Sequence, residues 1–584
     1  MSDRIMDIQR AVTTYAQQML TSIDGIKALL LDDETAGIIG LVSSQTEITQ
    51  HDVYLVERLK AREKGDESQR HIKAIVFVRP TAENTILLRK ELASPSFGEY
   101  YIYFSNTIRR TLLEDLADAD VHSKVVEVKE YFADVYSLMP HLFHLKVNPC
   151  VGASRSMSQS SQFERVIDGL FAVLLALKKQ PVIRFDESSP LCRNIAERLS
   201  VRIDQERNLF NFQGSSQAPL LLLLDRKEDP VTPLLNQWTY EAMAHELLTL
   251  KNNRVVLNES TGVGSGDVRE VVLDQRIDDF YRRNMFLNFG ELGDNVKHLV
   301  DSFQVQHRST DRLDTIDDMM KFVENYPEFK KTSHNVSKHV TLLSELSKIV
   351  DRNRLLDVSE LEQDIACRES AVEHKAQVLN FLKSYKVTKE DKLKLVLLYS
   401  LRYERAGDMP LGALIQGLYS AGLGSDKVSL VNAVTQQAGA SARRGDVFNN
   451  QSFLAKARSS VKRGFGGVTN VYTQHEPLLA SILDDTIRGR LRLDEYPVVH
   501  GTPAQTCREV VVFIAGGATY EESKCVAEIN GYISATAQEN SFTASARAAS
   551  KMNGTRIILG GSTIHNSASY LEEIAKKQTM MSTS

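Results

Sequence analysis

Five consecutive leucines, Leu220 to Leu224, run directly into the charged turn Asp225-Arg226-Lys227-Glu228-Asp229 and the prolines Pro230 and Pro233. An unbroken apolar run closed by turn residues reads as a strand covered on both faces, the mark of a parallel sheet with helices on either side. Upstream of it, Phe163 to Lys179 reads as a buried helix, "PVIRF" as a strand and "SSPLCRNIAERLS" as a capped helix. Matching signals return only near the C terminus, in "REVVVFIAGGATYEES" (508–523) and "TRIILGGSTIHNSASYLEEIAKK" (555–577), each a strand, a glycine turn and a helix start. The economical arrangement is one sheet assembled from two distant stretches of chain, with a separate unit inserted between them.

The N-terminal part follows the same logic. "IKALLLDD" (26–33), "HIKAIVFVRP" (71–80), "EYYIYFSN" (99–106) and "SKVVEVKEYF" (123–132) read as strands. "TQHDVYLVERLK" (49–60) and "TIRRTLLEDLAD" (107–118) carry apolar residues at helical spacing. In the second, Ile108, Leu112 and Leu116 lie four apart beside Leu113, with Asn106 as the expected N-cap. Alternation of this kind implies a parallel sheet covered on both faces.

The insertion, from about residue 250 to 480, shows long 3.6-residue periodicities and is expected to be mainly helical. Pro327, after Tyr326 in "YPEFKK", predicts a bend with Asn325 or Tyr326 outside the helix, because proline removes a helical hydrogen bond and clashes one turn back. The expected class is α/β, with two parallel-sheet units and a helical one. Residues 1–145 form the first unit, 146–250 and 481–584 the two parts of the second, and 251–480 the helical insertion.

Bulk properties exclude several roles. A chain of 584 residues is too long for one core. Its net charge of -5 supplies no basic field for nucleic acid. One stretch departs from this: residues 436–470 hold Arg443, Arg444, Lys456, Arg458, Lys462 and Arg463 against Asp446 alone. It reads as a mobile loop, with contact to acidic lipid as a second reading. The five cysteines are dispersed without a CxxC pair, which suits a reducing compartment. The N-terminal segment is amphipathic and carries acids, unlike a signal peptide, and the longest apolar run, Leu170 to Leu177, is far short of the about 20 residues that span a bilayer.

Three features could carry chemistry. Gly516-Gly517 and Gly560-Gly561 follow strands, where phosphates bind at helix N-termini, but neither completes GxGxxG and no GK[ST] occurs; "GVGSGD" (262–267) lacks a following helix start. Tight turns account for all three. Asp225, Glu228 and Asp229, with Asp32 and Asp33, could bind Mg²⁺ or act as acid and base, yet Arg226 and Lys227 beside them favour internal pairing and capping. His141 and His144 have ligand-like spacing with no cysteine or second acid nearby, and neither GxSxG nor HExxH occurs. No catalytic residue, metal or cofactor is expected. A nucleotide- or phosphate-binding enzyme using the glycine turns remains the alternative.

The segment "LLLLLDRKEDPVTPLLNQWTYEAMAHELL" resembles the hallmark of the Sec/Munc (SM) family of SNARE-binding proteins: a strand ending in Asp-Arg, an acid-Pro-x-Thr-Pro-Leu turn, then Trp-Thr-Tyr. "FGELGDNVK" (289–297), "YPEFKK" (326–331), "VYTQHEPLL" (471–479) and "FIAGGATYEE" (513–522) match as well, so the resemblance covers essentially the whole chain. "DVYLVERL" (52–59) and "GEYYIYFSN" (98–106) place it with the branch of trans-Golgi, endosomal and vacuolar trafficking.

The resemblance implies a three-domain arch without catalysis. It implies binding of a Qa-SNARE syntaxin of the trans-Golgi network or endosome through its N-terminal peptide, and templating of SNARE bundles. A vesicle R-SNARE and an endosomal tether or Rab effector would join. The protein would be a cytoplasmic monomer, peripheral on Golgi and endosome membranes only through SNAREs. Carried onto this sequence, the peptide pocket falls on Leu113, Leu116, Val126 and Val128, and the SNARE-binding hairpin hinges at Tyr326 and Pro327. Asp225, Arg226, Asp229, Pro230, Pro233 and Trp238 form a structural signature that braces the second unit against its neighbours.

Overall fold

The computed structural model describes residues 6–61, 69–152, 157–212, 218–257, 270–310, 316–405, 411–445, 447–448, 472–504, 506–533 and 541–583. The glycine-rich stretch 262–267 and most of the basic stretch 436–470 lie outside them.

The first sheet contains β1 (Lys27–Leu31), β2 (Val53–Arg58), β3 (Lys73–Val78), β4 (Glu99–Phe104) and β5 (Val125–Glu130), in the spatial order β2-β1-β3-β4-β5, all parallel. Alternate residues bury on opposite faces: Leu30, Val76 and Ile102 pack on one side, Leu29, Ile75 and Tyr103 on the other. Asp32 ends β1 by capping the helix Asp33–Val42, and its second oxygen accepts from the Arg79 N–H and the Asn84 amide, joining β1 to β3. Its carboxylate is fully used as a structural pin.

Two expectations fail in this unit. The stretch 49–60 is not helical through its middle: Val53–Arg58 forms the edge strand β2. Val53, Leu55, Val56 and Leu59 fit either period, and pairing with β1 decides for the strand. Asn106 does not cap the helix Arg110–Ala119; its amide instead donates to Asp134 and to the Asp168 carbonyl, buried where the two sheets meet.

The second sheet contains β6 (Tyr136–Met139), β7 (Leu142–His144), β8 (Val182–Phe185), β9 (Leu220–Asp225), then β12 (Val498–His500), β13 (Glu509–Ala515) and β14 (Arg556–Gly561). A separate hairpin-like pair, β10 (Arg254–Val256) and β11 (Glu270–Val272), lies between β9 and β12 in sequence. Spatial order in the second sheet is β12-β8-β9-β13-β14-β7-β6, with antiparallel edges and a parallel centre. The five leucines pair with β8 on one side and β13 on the other, so two distant stretches of chain do build one sheet. The expected boundary at 145 is corrected: residues 136–144 belong to this second sheet, because β7 pairs with β14.

The stretch between β9 and β12 is mainly helical. Its helices Leu355–Cys367, Ala371–Lys383, Lys389–Tyr403, Gly412–Ser420 and Ser425–Ala438 share a core sealed by Val231, Leu234 and Leu235 and by Tyr570, Leu571 and Ile574 of the C-terminal helix. Two longer helices, Phe289–Thr310 and Ile316–Asn353, pack against each other. The second passes through Tyr326 and Pro327 as continuous helix, which corrects the expected bend. One missing hydrogen bond, at about 3 kcal/mol, does not break a helix whose later part is buried at Leu342, Leu346 and Val350. Pro327→Ala should therefore leave the helical boundaries where they are while slowing amide exchange around residue 327. An exchange map showing a newly helical segment in the variant would contradict this.

Candidate functional site

Two regions have the geometry of a binding platform and its support. The first is the outer edge of the first sheet. β5 is an edge strand, and one extra residue between Val125 and Glu127 bulges it against β4. Val128 pairs with Ile102, whose side chain packs on the face that also buries Leu116 of the helix Arg110–Ala119. Val126 is the extra residue of that bulge and has no partner on β4. Val126 is 57% exposed, Val128 39% and Leu113 38%, with Val121 at 73% on the connection between helix and strand. Exposed valines on an unpaired edge beside an amphipathic helix form an apolar surface suited to an extended peptide. Leu116 departs from the expectation. It is 4% exposed and belongs to the core beneath this surface, because the helix turns its Leu116 face to the sheet.

The second region is the charged turn after β9. Asp225 caps the short turn by accepting from the Lys227 N–H, and also accepts from the Ser189 hydroxyl. Arg226, 5% exposed, pairs with Glu522, the residue that completes the capping box of the helix Tyr520–Ile529. Burial alone would lower the Arg226 pKa; the Glu522 and Asp229 carboxylates raise it instead, so the guanidinium stays charged. Asp229 accepts from Val231, Thr232 and the Leu478 N–H, which fixes the start of the helix Leu478–Ile487. The turn thus joins β9 to both returning elements of the C-terminal stretch.

Just beyond, the chain reaches into the helical unit. Pro230 and Pro233 are buried, Pro233 in a single 3₁₀ turn, and they bring Asn236 and Trp238 to the helix Leu355–Cys367. The Trp238 indole N–H donates to Ser359 Oγ at 2.7 Å, with its ring near Phe289 and Tyr472. Asn236 donates to Glu362 and accepts from Lys394 Nζ at 2.8 Å. Lys394 also meets Glu246, Glu362 and Asp391. Burial, partly offset by Lys394, pushes the Glu362 carboxyl up to about 7.

The sequence offered no signal for the cluster at the base of the long helix. Lys338 and His339 both contact Asp278, which caps the helix Asp279–Asn284. Although burial acts to raise its pKa, these partners hold Asp278 well below the carboxylate range, so His339 Nε2–H is the donor to it at 3.0 Å. Neutral His339 then accepts from the Tyr240 hydroxyl at 2.9 Å. His339 lies 61 positions from Asp278 and 99 from Tyr240, beyond any local pattern.

Nearby, burial pushes Glu241 up to about 8 against the Tyr281 hydroxyl bond that opposes it, and its second oxygen has no hydrogen-bond partner among the described residues. Because the folded state holds this proton more tightly than the unfolded chain, stability should fall as pH rises from about 4.5 through about 8. Glu241→Gln keeps an acceptor for Tyr281 and removes the ionisation. It should match the parent near pH 5 and exceed it near pH 8.5 in thermal midpoint; parallel pH profiles would contradict this.

The histidine pair and the glycine turns that could have carried metal or phosphate are packed against neighbouring side chains. His141 Nε2 meets Ser523, and burial lowers the two histidines to about 4 (His141) and about 3 (His144), leaving both neutral. A Cβ at Gly517 would lie 2.2 Å from the His565 ring and one at Gly560 2.1 Å from Phe143, so at both positions close packing by a neighbouring ring accounts for the glycine. A cavity of about 290 Å³ does open at the carboxyl ends of β8, β9 and β13, but Arg226, Arg444 and Arg490 on its wall are paired with Glu522, Asp186 and Asp484. Among the described residues no cluster of His, Cys, Asp and Glu could hold a metal ion, and no helix is long and apolar enough to cross a membrane.

A discontinuous seven-stranded sheet, a smaller parallel sheet with a bare apolar edge and a helical insertion locked on through one tryptophan define an SM-type architecture. The Sec1 family model matches residues 27–573, and the chain belongs to that family. The vacuolar protein sorting-associated protein 45 of Dictyostelium discoideum is 41% identical over 579 residues, covering 99% of this chain and 98% of the relative. The Homo sapiens protein of that name is 41% identical over 572 residues, covering 97% and 96%. Among solved structures, the SM protein Vps45 in complex with the Qa SNARE Tlg2 superposes with a TM-score of 0.87 at 37% identity, covering 98% of each chain. This is the branch that "DVYLVERL" and "GEYYIYFSN" single out.

Proposed function

We propose that this protein regulates SNARE-mediated membrane fusion in trans-Golgi, endosomal and vacuolar trafficking by binding a Qa-SNARE syntaxin and templating assembly of its SNARE bundle. The observation that carries the reading is the end-to-end likeness to a relative solved with a Qa-SNARE bound. The N-terminal peptide of the syntaxin docks on the β5 edge, its apolar side chains against Leu113, Val126 and Val128. Leu116 supports that surface from below. SNARE helices lie along the pair Phe289–Thr310 and Ile316–Asn353, apolar face down. A vesicle R-SNARE and an endosomal tether complete the assembly. The role needs no catalytic step, and the protein works as a monomer on the cytoplasmic face of Golgi and endosome membranes. Pull-down with a panel of the organism's full-length syntaxins tests the reading: retention of the trans-Golgi or endosomal member alone supports it, and retention of none overturns it.

A further inference from the structure

The far end of the helical unit presents a surface that the SNARE-binding role leaves unused. Two connections meet there: the one leaving the helix Ala371–Lys383 and the one leaving the helix Gly412–Ser420. They are held together at two points. Leu382 fills the space beside Gly417, where even a Cβ would lie 2.6 Å from it, and Lys389 Nζ donates to the Gly422 carbonyl at 2.7 Å.

On this fixed corner Tyr385 is 90% exposed and Tyr419 46% exposed. Around them Lys383, Lys386, Lys389 and Lys427 are all exposed, against Glu390 and Asp426 as the exposed acids of the two connections. Asp391, the other acid, is buried and paired with Lys394. The chain as a whole carries a net charge of -5, so a lysine-rich corner departs from its surroundings. A tyrosine left almost wholly in water makes little use of its ring in folding. Tyrosine rings settle at the headgroup level of bilayers, and lysines beside them are drawn to anionic lipid.

We propose that this corner is a direct contact for the surface of an acidic membrane, Tyr385 and Tyr419 entering the headgroup layer and Lys383, Lys386 and Lys427 pairing with anionic lipid. A ring protruding from a connection beside one at a helix end fits a flat, deformable surface better than a folded protein partner, which needs a complementary groove. The contact would orient the helical unit on the bilayer independently of any SNARE.

The test is co-sedimentation of the full chain with vesicles of phosphatidylcholine alone and of phosphatidylcholine with phosphatidylserine. The protein should sediment with the acidic vesicles only, and less so as salt is raised. The variant Lys383→Glu, Tyr385→Ser, Lys386→Glu alters only exposed side chains and should fold normally by circular dichroism. Its affinity for acidic vesicles should fall by at least about tenfold, while Lys60→Glu, an exposed change on the first unit, should have far less effect. Failure of the parent protein to bind acidic vesicles, or equal binding by the triple variant, overturns the proposal. So does loss in the variant of binding to soluble polyglutamate when vesicles bind neither form, which would assign the corner to an acidic protein.

Discussion

Arg226→Met should lower stability by about 3–5 kcal/mol, because it strands the Glu522 carboxylate in a fully buried site with its counter-charge gone. Methionine matches much of the arginine stem in volume, so the loss is electrostatic rather than a cavity. The chain's single tryptophan reports it: Trp238 sits twelve residues further along the same segment, and its fluorescence should follow urea unfolding at a lower midpoint. Adding Glu522→Gln should restore much of the loss. Glutamine can still serve the capping box at Thr519 and carries no charge to bury. A single variant as stable as the parent would show that the turn does not brace the second sheet.

Leu116→Arg should cost at least about 3 kcal/mol, since it drives a charge into a packed core under the helix Arg110–Ala119. Val128→Asp, on the exposed edge, should change stability by no more than about 0.5 kcal/mol. The pair separates the floor of the platform from its surface: thermal midpoints should fall sharply for the first variant and scarcely move for the second. Equal midpoints would mean that Leu116 is solvent-facing after all.

What was legible in the sequence was whatever local pattern decides. Leucines 220–224 and the run "EVVVFIA" announced central strands, and their pairing across some 290 residues follows from there being few other doubly covered strands to join. The charged turn is readable as structure because two bases, Arg226 and Lys227, sit between its acids. Edges were harder. β2 could be taken for helix because its exposed row carries the apolar Tyr54 and Val56, which hides the two-residue alternation. β6 and β7 are too short to announce a sheet, and the partner of β7 lies more than 400 positions downstream.

The platform shows the same division. The spacing of Leu112, Leu113 and Leu116 identifies an amphipathic helix, but not which residue of the stripe meets the sheet. Only the packing sends Leu116 inward and leaves Leu113 outside. Pro327 carries a real local penalty, yet helix packing later in the same segment outweighs it. The Asp278–His339–Tyr240 cluster had no signature at all, being assembled from three separate elements.

Syntaxin binding is the central interaction, and calorimetric titration of the full chain with the cytosolic region of the organism's trans-Golgi or endosomal syntaxin measures it. The prediction is stoichiometric binding to the intact syntaxin, weakened at least about tenfold when its N-terminal peptide is removed and to a similar extent by Val126→Glu with Val128→Glu. Intact affinity in the double variant and the truncated syntaxin, or no binding to the intact syntaxin, would contradict it.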